Sequence, residues 1–375
     1  MIRLAILHFQ PLELYPPATN LIEYISSKEG KVQTRIYSMY SPSEQEEYKN
    51  DKIRLYRKGK LKGANSKIGR LWQYCSYYFY TLYQLLKYKP TVVMYFETLS
   101  FLPVYIYCSL NYMLGRKIRI FCHYHEYTSP QEYDGGMIMN RRLHTLEKKW
   151  YTKMEWISHT NIDRMRLFKT DVLLQNPVNT FILPNYPPAT WFSTFRSEEI
   201  SYPVRFVYVG ALGMNTMYIQ EFMDWIEAHK GRFNWDIFSQ QDGKEVLNFL
   251  KSKNIKYTKF KGHTSYKKLP NVLKDYDVGV ILYKGHIPNY IYNIPNKLFE
   301  YLACGLDVWY PQEMTTCHML INTQTRPKVI SIDFKALNNF DEDQALNRKN
   351  IPLSPSPFFC ENELDILWNC LSKEN

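Results

Sequence analysis

The chain has 375 residues, enough for two domains of ordinary size. Apolar residues make up 45% and charged residues 22%, with no long low-complexity tract, which argues against a disordered chain. Net charge is +11 and one-sided: residues 1–185 carry 26 Lys and Arg against 15 Asp and Glu, whereas the remainder balances at 21 and 21. Such a split suits two domains that meet different partners. Seven cysteines, none in a CxxC pair and odd in number, suit reduced thiols in a cytoplasmic protein. The opening apolar run is too short for a signal-peptide core. The stretch 101–114 falls short of the roughly 20 apolar residues a membrane helix needs, and reads as a buried helix.

In chain order, strands are expected at 2–9 and 32–37, then a helix at 67–89. Residues 91–96, Thr-Val-Val-Met-Tyr-Phe, form a β-branched and aromatic run directly after Pro90, the composition of a strand. A helix at 101–114, a strand at 117–122 and a helix at 139–151 follow, with short strands at 156–159 and 180–183. This alternation implies a parallel sheet with crossover helices. Prolines 184, 187, 188 and 203 bracket a polar stretch, so residues 186–203 are expected as a linker. The alternation then restarts: strands at 205–209, 235–238, 257–261, 277–283, 308–310 and 329–332, and helices at 217–229, 245–253, 267–275 and 296–304. Gly305 suits the residue just past a helix end. Leu364, Leu367 and Leu371 recur at helical spacing and predict a C-terminal helix.

Residues 275–310 carry the most chemistry. A strand (Asp-Tyr-Asp-Val-Gly-Val-Ile-Leu-Tyr) and a polar loop lead into Ile294-Pro295-Asn296-Lys297-Leu298-Phe299-Glu300-Tyr301-Leu302-Ala303-Cys304-Gly305. Free N–H groups at a helix start form an anion site, and Lys297 adds a positive charge beside it. Glu300 lies one turn on, within reach of a ribose if phosphates occupy the helix start. The alternative is an amphipathic helix whose Lys297 and Glu300 merely face solvent.

This string resembles the donor-site signature of family 4 glycosyltransferases and their relatives. Phe206-Val207-Tyr208-Val209-Gly210 resembles the first strand and glycine turn of their donor domain, and Phe260-Lys261-Gly262 a later strand and glycine. Ile182-Leu183-Pro184-Asn185-Tyr186-Pro187 resembles the close of their N-terminal domain. The resemblance implies an α/β chain of the GT-B type, with two Rossmann-like domains facing across a cleft. Residues 1–185 would bind acceptor and 204–355 the nucleotide sugar, with a helix at 361–375 crossing back to the first domain. It implies a hexosyltransferase that moves a sugar from a nucleotide diphosphate sugar to an acceptor hydroxyl with retention, using no metal and no cofactor. Surface polysaccharide or glycolipid assembly is the expected setting, with a glycan or lipid-linked acceptor. Gly210 would form the turn. Asn296, Lys297 and Leu298 would face the diphosphate, and Glu300 the ribose. Tyr292 stands where many relatives carry a first glutamate, with Asn293 as the neighbouring substitute. Residues 210–215 carry no basic side chain, Gln10-Pro11-Leu12-Glu13 replaces a glycine-rich loop, and Asp307 replaces a proline.

The second candidate is Phe121-Cys122-His123-Tyr124-His125-Glu126, where a strand gives way to a polar loop. Functional residues of open α/β sheets sit at such strand ends, and histidine there can donate to a hydroxyl or move a proton. By the resemblance, His125 and Glu126 would face the transferred sugar, with His123 one strand step earlier. A structural histidine pair is the alternative. Glu97, ending the preceding strand, would contact acceptor or serve as an N-cap or loop residue. Residues 52–70 hold eight Lys and Arg (52, 54, 57, 58, 60, 62, 67 and 70) among apolar and aromatic residues. They are expected to meet anionic lipid at the inner membrane face, or to be a solvated loop. No nucleic-acid motif accompanies them, so no nucleic-acid partner is expected. Two rival functions stand beside transfer: a sugar-nucleotide epimerase on the same fold, and a non-catalytic nucleotide-sugar-binding protein.

Overall fold

A computed structural model describes residues 2–30, 32–41, 47–60, 66–172, 179–192, 199–239, 244–253 and 255–373. The chain forms two compact units: Met1–Pro184 with Cys360–Asn375, and Asn185–Phe359.

The first unit runs β1 (Ile2–His8), α1 (Pro16–Ser27), β2 (Val32–Ser38), β3 (Arg54–Arg57), α2 (Lys67–Tyr88), β4 (Val92–Phe96), α3 (Phe101–Met113), β5 (Arg119–Tyr124), α4 (Pro130–Gly135), α5 (Ile138–Lys148), β6 (Trp156–His159), α6 (Ile162–Asp171) and β7 (Thr180–Ile182). Its sheet is parallel, in the order β3-β2-β1-β4-β5-β6-β7. Every residue of β4 and β5 is buried, as expected of strands covered by helices on both faces. Tyr95, Phe101, Val104, Tyr107, Trp150 and Tyr151 dominate the core, which accounts for much of the aromatic content.

Helix α1 is not among the helices expected from the sequence, and it opens on Pro16 and Pro17. They occupy the first helical positions, where the missing N–H has no intrahelical partner to lose. The basic stretch is also more structured than expected. β3 adds to the sheet edge beside β2, and Arg57 turns inward, its Nη2 2.7 Å from Glu13 Oε1, with both side chains 7% exposed. Arg57 is therefore withdrawn from the lipid-facing surface read from the sequence, and Lys62 lies outside the described residues.

The second unit runs β8 (Val204–Val209), α7 (Ile219–Ala228), β9 (Phe233–Phe238), α8 (Lys244–Ser252), β10 (Thr258–Gly262), α9 (Leu269–Leu273), β11 (Val278–Val280), α10 (Pro288–Ile291), α11 (Asn296–Ala303), β12 (Asp307–Pro311), β13 (Val329–Ile332) and α12 (Glu342–Leu346). Its parallel sheet has the order β10-β9-β8-β11-β12-β13. Part of the stretch read as a linker packs here: Trp191 is buried, its ring 4.5 Å from that of Tyr266. Gly279 is forced by packing, because a Cβ there would stand 2.1 Å from the Tyr301 ring. Tyr301 lies against β11 and its hydroxyl accepts the Val209 N–H at 3.0 Å, tying α11 to the end of β8.

The final helix, α13 (Cys360–Leu371), belongs to the first unit. Asp365 takes hydrogen bonds from Tyr24 and Lys28 of α1 and its C-cap. Arg119 donates to the carbonyls of Cys370 and Lys373 at 2.6 and 2.8 Å, setting a cation against the negative end of the helix.

Candidate functional site

Both sheets have the doubly wound order in which strand numbering reverses between the first strand and the fourth. Ligands of such sheets bind beyond the carboxyl ends of the strands at that switch point. In the second unit it lies between β8 and β11, and the residues singled out from the sequence gather there. Gly210 follows β8, with a φ of 139° that no other residue adopts easily. A Cβ at Gly210 would sit 3.0 Å from Lys297 Nζ. The glycine therefore gives the turn and also leaves room for the lysine. Lys297 is 8% exposed, and its ammonium donates to the hydroxyls of Tyr208 (3.1 Å) and Tyr283 (3.0 Å). Tyr290 stacks on Tyr283 at 5.1 Å.

Helix α11 starts after Pro295 with no side chain capping it. Its first amides, those of Asn296 and Lys297, point out of the helix at the same end as the ammonium. Leu298 is fully buried in the core, so only its backbone can serve a ligand. It is already engaged there, its N–H donating to Pro295 O at 3.0 Å. Glu300 is 6% exposed, and its carboxylate has no hydrogen-bond partner among the described residues. Burial pushes its pKa up to about 7, against the opposing pull of Lys297. Burial also works against the Lys297 ammonium, but the two phenol oxygens more than offset it and the charge is kept. Neither side chain faces open solvent, so the amphipathic-surface alternative does not hold. Asn293 is partly buried, its carbonyl accepting from Cys317 Sγ at 3.2 Å.

In the first unit the switch point lies between β1 and β4. His8 ends β1, Glu97 follows β4, and His125 and Glu126 follow β5. Glu97 holds a positive φ of 61°, a costly conformation for a residue with a side chain. Its carboxylate accepts the N–H groups of His125 (2.7 Å) and Glu126 (3.4 Å), and it makes no N-cap bond. It thus pins the loop after β5. Burial, then the neighbouring Glu126, pushes its pKa up to about 8. His125 is buried, its ring stacked between those of Phe96 (5.0 Å) and Tyr15 (5.1 Å). His123 stands edge-on to it at 4.8 Å, 1% exposed, with Nδ1 2.8 Å from Ser158 Oγ. Glu126 is exposed and borders a small pocket lined also by Tyr124, Tyr127, His159 and Asp171. The structure therefore brings His123, His125, Glu97 and Glu126 together, with both histidines buried, Glu97 partly buried and Glu126 exposed.

Burial lowers His8 to about 4 and His123 to about 3, so both rings are neutral in the folded chain. The unfolded chain takes up protons near pH 6.5, so the stability these rings contribute is present above that pH and is lost as pH falls below it. Lowering the pH from 7 to 5.5 is expected to cost about 1 kcal/mol per histidine. His123→Asn should flatten that slope in urea unfolding followed across pH. An unchanged slope would show that the ring is already matched in both states.

No family model and no curated protein matches the sequence. Solved structures do. HepE of Anabaena, determined with UDP-glucose, aligns over 99% of this chain and 100% of its own at 11% identity and a TM-score of 0.65. Sucrose-phosphate synthase from Thermosynechococcus elongatus aligns over 99% and 96% at 12% identity and a TM-score of 0.64. UDP-GlcNAc 2-epimerase from Methanocaldococcus jannaschii aligns over 99% and 100% at 11% and 0.55. The chain has the GT-B fold. Within this GT-B chain, sequence reasoning missed Tyr208 and Tyr283 as the partners of Lys297, and His8, Tyr15 and Phe96 around His125. His8 was open to detection, since it ends the first strand of the switch point. The tyrosines were not, because a phenol on a strand reads as core.

Proposed function

We propose that this protein is a glycosyltransferase that binds a nucleotide diphosphate sugar on its second unit and transfers the sugar to an acceptor hydroxyl with retention. The observation that carries this reading is the start of α11: uncapped amides and a buried ammonium beside a buried carboxylate that has no hydrogen-bond partner among the described residues. Amides and ammonium suit a diphosphate, and the carboxylate suits the paired hydroxyls of a ribose. The same groups would stabilise the charge that develops on the departing diphosphate, a role that needs no bound metal. HepE was determined with UDP-glucose, which makes a uridine nucleotide the first donor to test. His125 and Glu126, held by Glu97, are the groups offered to the sugar and acceptor, and surface glycan or glycolipid assembly is the setting we favour.

The test is thermal unfolding with UDP, GDP, ADP and CMP in the absence of divalent metal. One nucleotide at about 100 times its dissociation constant is expected to add about 2.7 kcal/mol. No stabilisation by any of them would overturn the donor site. The likeness to UDP-GlcNAc 2-epimerase keeps a second reading in view. An epimerase would interconvert sugar nucleotides with no acceptor present, whereas a transferase releases nucleotide only as an acceptor is consumed.

A further inference from the structure

Helix α2 is apolar on two opposite faces. One face packs inward through Tyr77, Thr81, Leu85 and Tyr88, all buried. The other carries Ile68, Trp72, Cys75, Phe79, Tyr83 and Leu86, spaced by three or four residues so that they form one stripe along the helix. That stripe faces outward: Ile68 is 81% exposed, Trp72 71% and Phe79 74%. A soluble helix normally turns polar residues to water, and a contiguous apolar stripe of this size marks a contact surface.

The surrounding charge selects the contact. No Asp or Glu occurs between Asp51 and Glu97. Lys58 and Lys60 are exposed and run beside the helix: Lys58 Nζ lies 6.0 Å from the Tyr80 ring, and the Lys60 N–H donates to Gln73 Oε1 at 2.8 Å. Arg70, Lys87 and Lys89 stand exposed near the two ends of α2. A second copy laid on this face would set cations against cations. Trp, Tyr and Phe on one side with lysines at the margin match instead the boundary between lipid headgroups and acyl chains. Among the described residues no helix is long and apolar enough to cross a membrane, so the mode is lying on the surface.

We propose that α2 docks this protein on an anionic lipid bilayer, with Ile68, Trp72, Phe79 and Leu86 dipping into the interface and the flanking lysines meeting the headgroups. This moves the contact from residues 52–70, where Arg57 is internal, to the outward stripe of α2 with Lys58 and Lys60 at its margin. It does not depend on the donor site. The test is co-sedimentation of the full chain with vesicles rich in phosphatidylglycerol and with vesicles of phosphatidylcholine alone. Binding is expected to the first, weaker at high salt, and reduced about tenfold or more in Trp72→Glu/Phe79→Glu and in Lys58→Glu/Lys60→Glu. These side chains are exposed, so the variants should keep the parent melting temperature, which is measured alongside. Equal binding by the variants, no binding by the parent chain, or a dimer that Phe79→Glu dissolves without any lipid binding would each overturn the proposal.

Discussion

Lys297→Met is expected to lower the rate of transfer about 10²–10³-fold while leaving the protein folded. Methionine keeps the length and packing of the lysine stem and removes only the ammonium. In the folded protein that ammonium is buried and held by the hydroxyls of Tyr208 and Tyr283, with no carboxylate bonded to it among the described residues. The two phenol oxygens hold the charge but supply no counter-ion for it. Its retention is explained if an anion completes the site. The loss should therefore fall on groups that carry phosphate: affinity for UDP drops, affinity for uridine does not, and kcat falls because the charge on the leaving diphosphate is greatest in the transition state. Steady-state kinetics with calorimetric titration of UDP and uridine check this. Transfer within twofold of the parent rate, or an equal loss for UDP and uridine, would remove Lys297 from the diphosphate site.

The architecture could be read from the sequence because it rests on local, repeated signals. Residues 91–96 and 156–159 announce strands by composition, and their alternation with helices dictates a parallel doubly wound sheet. The α11 segment was legible for a different reason: Pro295, Asn296, Lys297 and Glu300 are adjacent in sequence, so their spacing on one helix end follows from helix geometry. Contacts made across the fold were not legible. Nothing local says that Tyr208 and Tyr283, 75 residues apart, close on the same ammonium, or that Tyr15, Phe96 and His125 stack. Arg57 reads as one of eight surface cations because its partner, Glu13, lies far away in the sequence, on a short helical turn after β1. α2 was recognised as a helix, but its two apolar faces could be assigned only once the sheet showed which of them is covered.

Glu300→Gln should make the protein more stable and a poorer binder at the same time. Burial lifts this carboxyl from its ordinary 4.5 to about 7 in the folded chain. A carboxyl raised on folding destabilises the folded state once it ionises, so the cost begins near pH 4.5, grows to about pH 7 and is constant above. Glutamine has the same shape without the charge. The variant is therefore expected to gain on the order of 1–3 kcal/mol at pH 8, with the gain shrinking towards zero near pH 5. Affinity for the donor nucleotide should fall about 10–100-fold, because two hydroxyl donors lose a charged acceptor. A 2′,3′-dideoxy nucleotide supplies the cross-check: parent and variant should bind it alike, since the group that Glu300 addresses is gone from the ligand. Melting curves from pH 5 to 8.5 and titrations with both nucleotides decide the matter. A carboxylate kept for structure would lose stability on replacement. One kept for a ligand gains stability and loses affinity, and the loss disappears with the ribose hydroxyls.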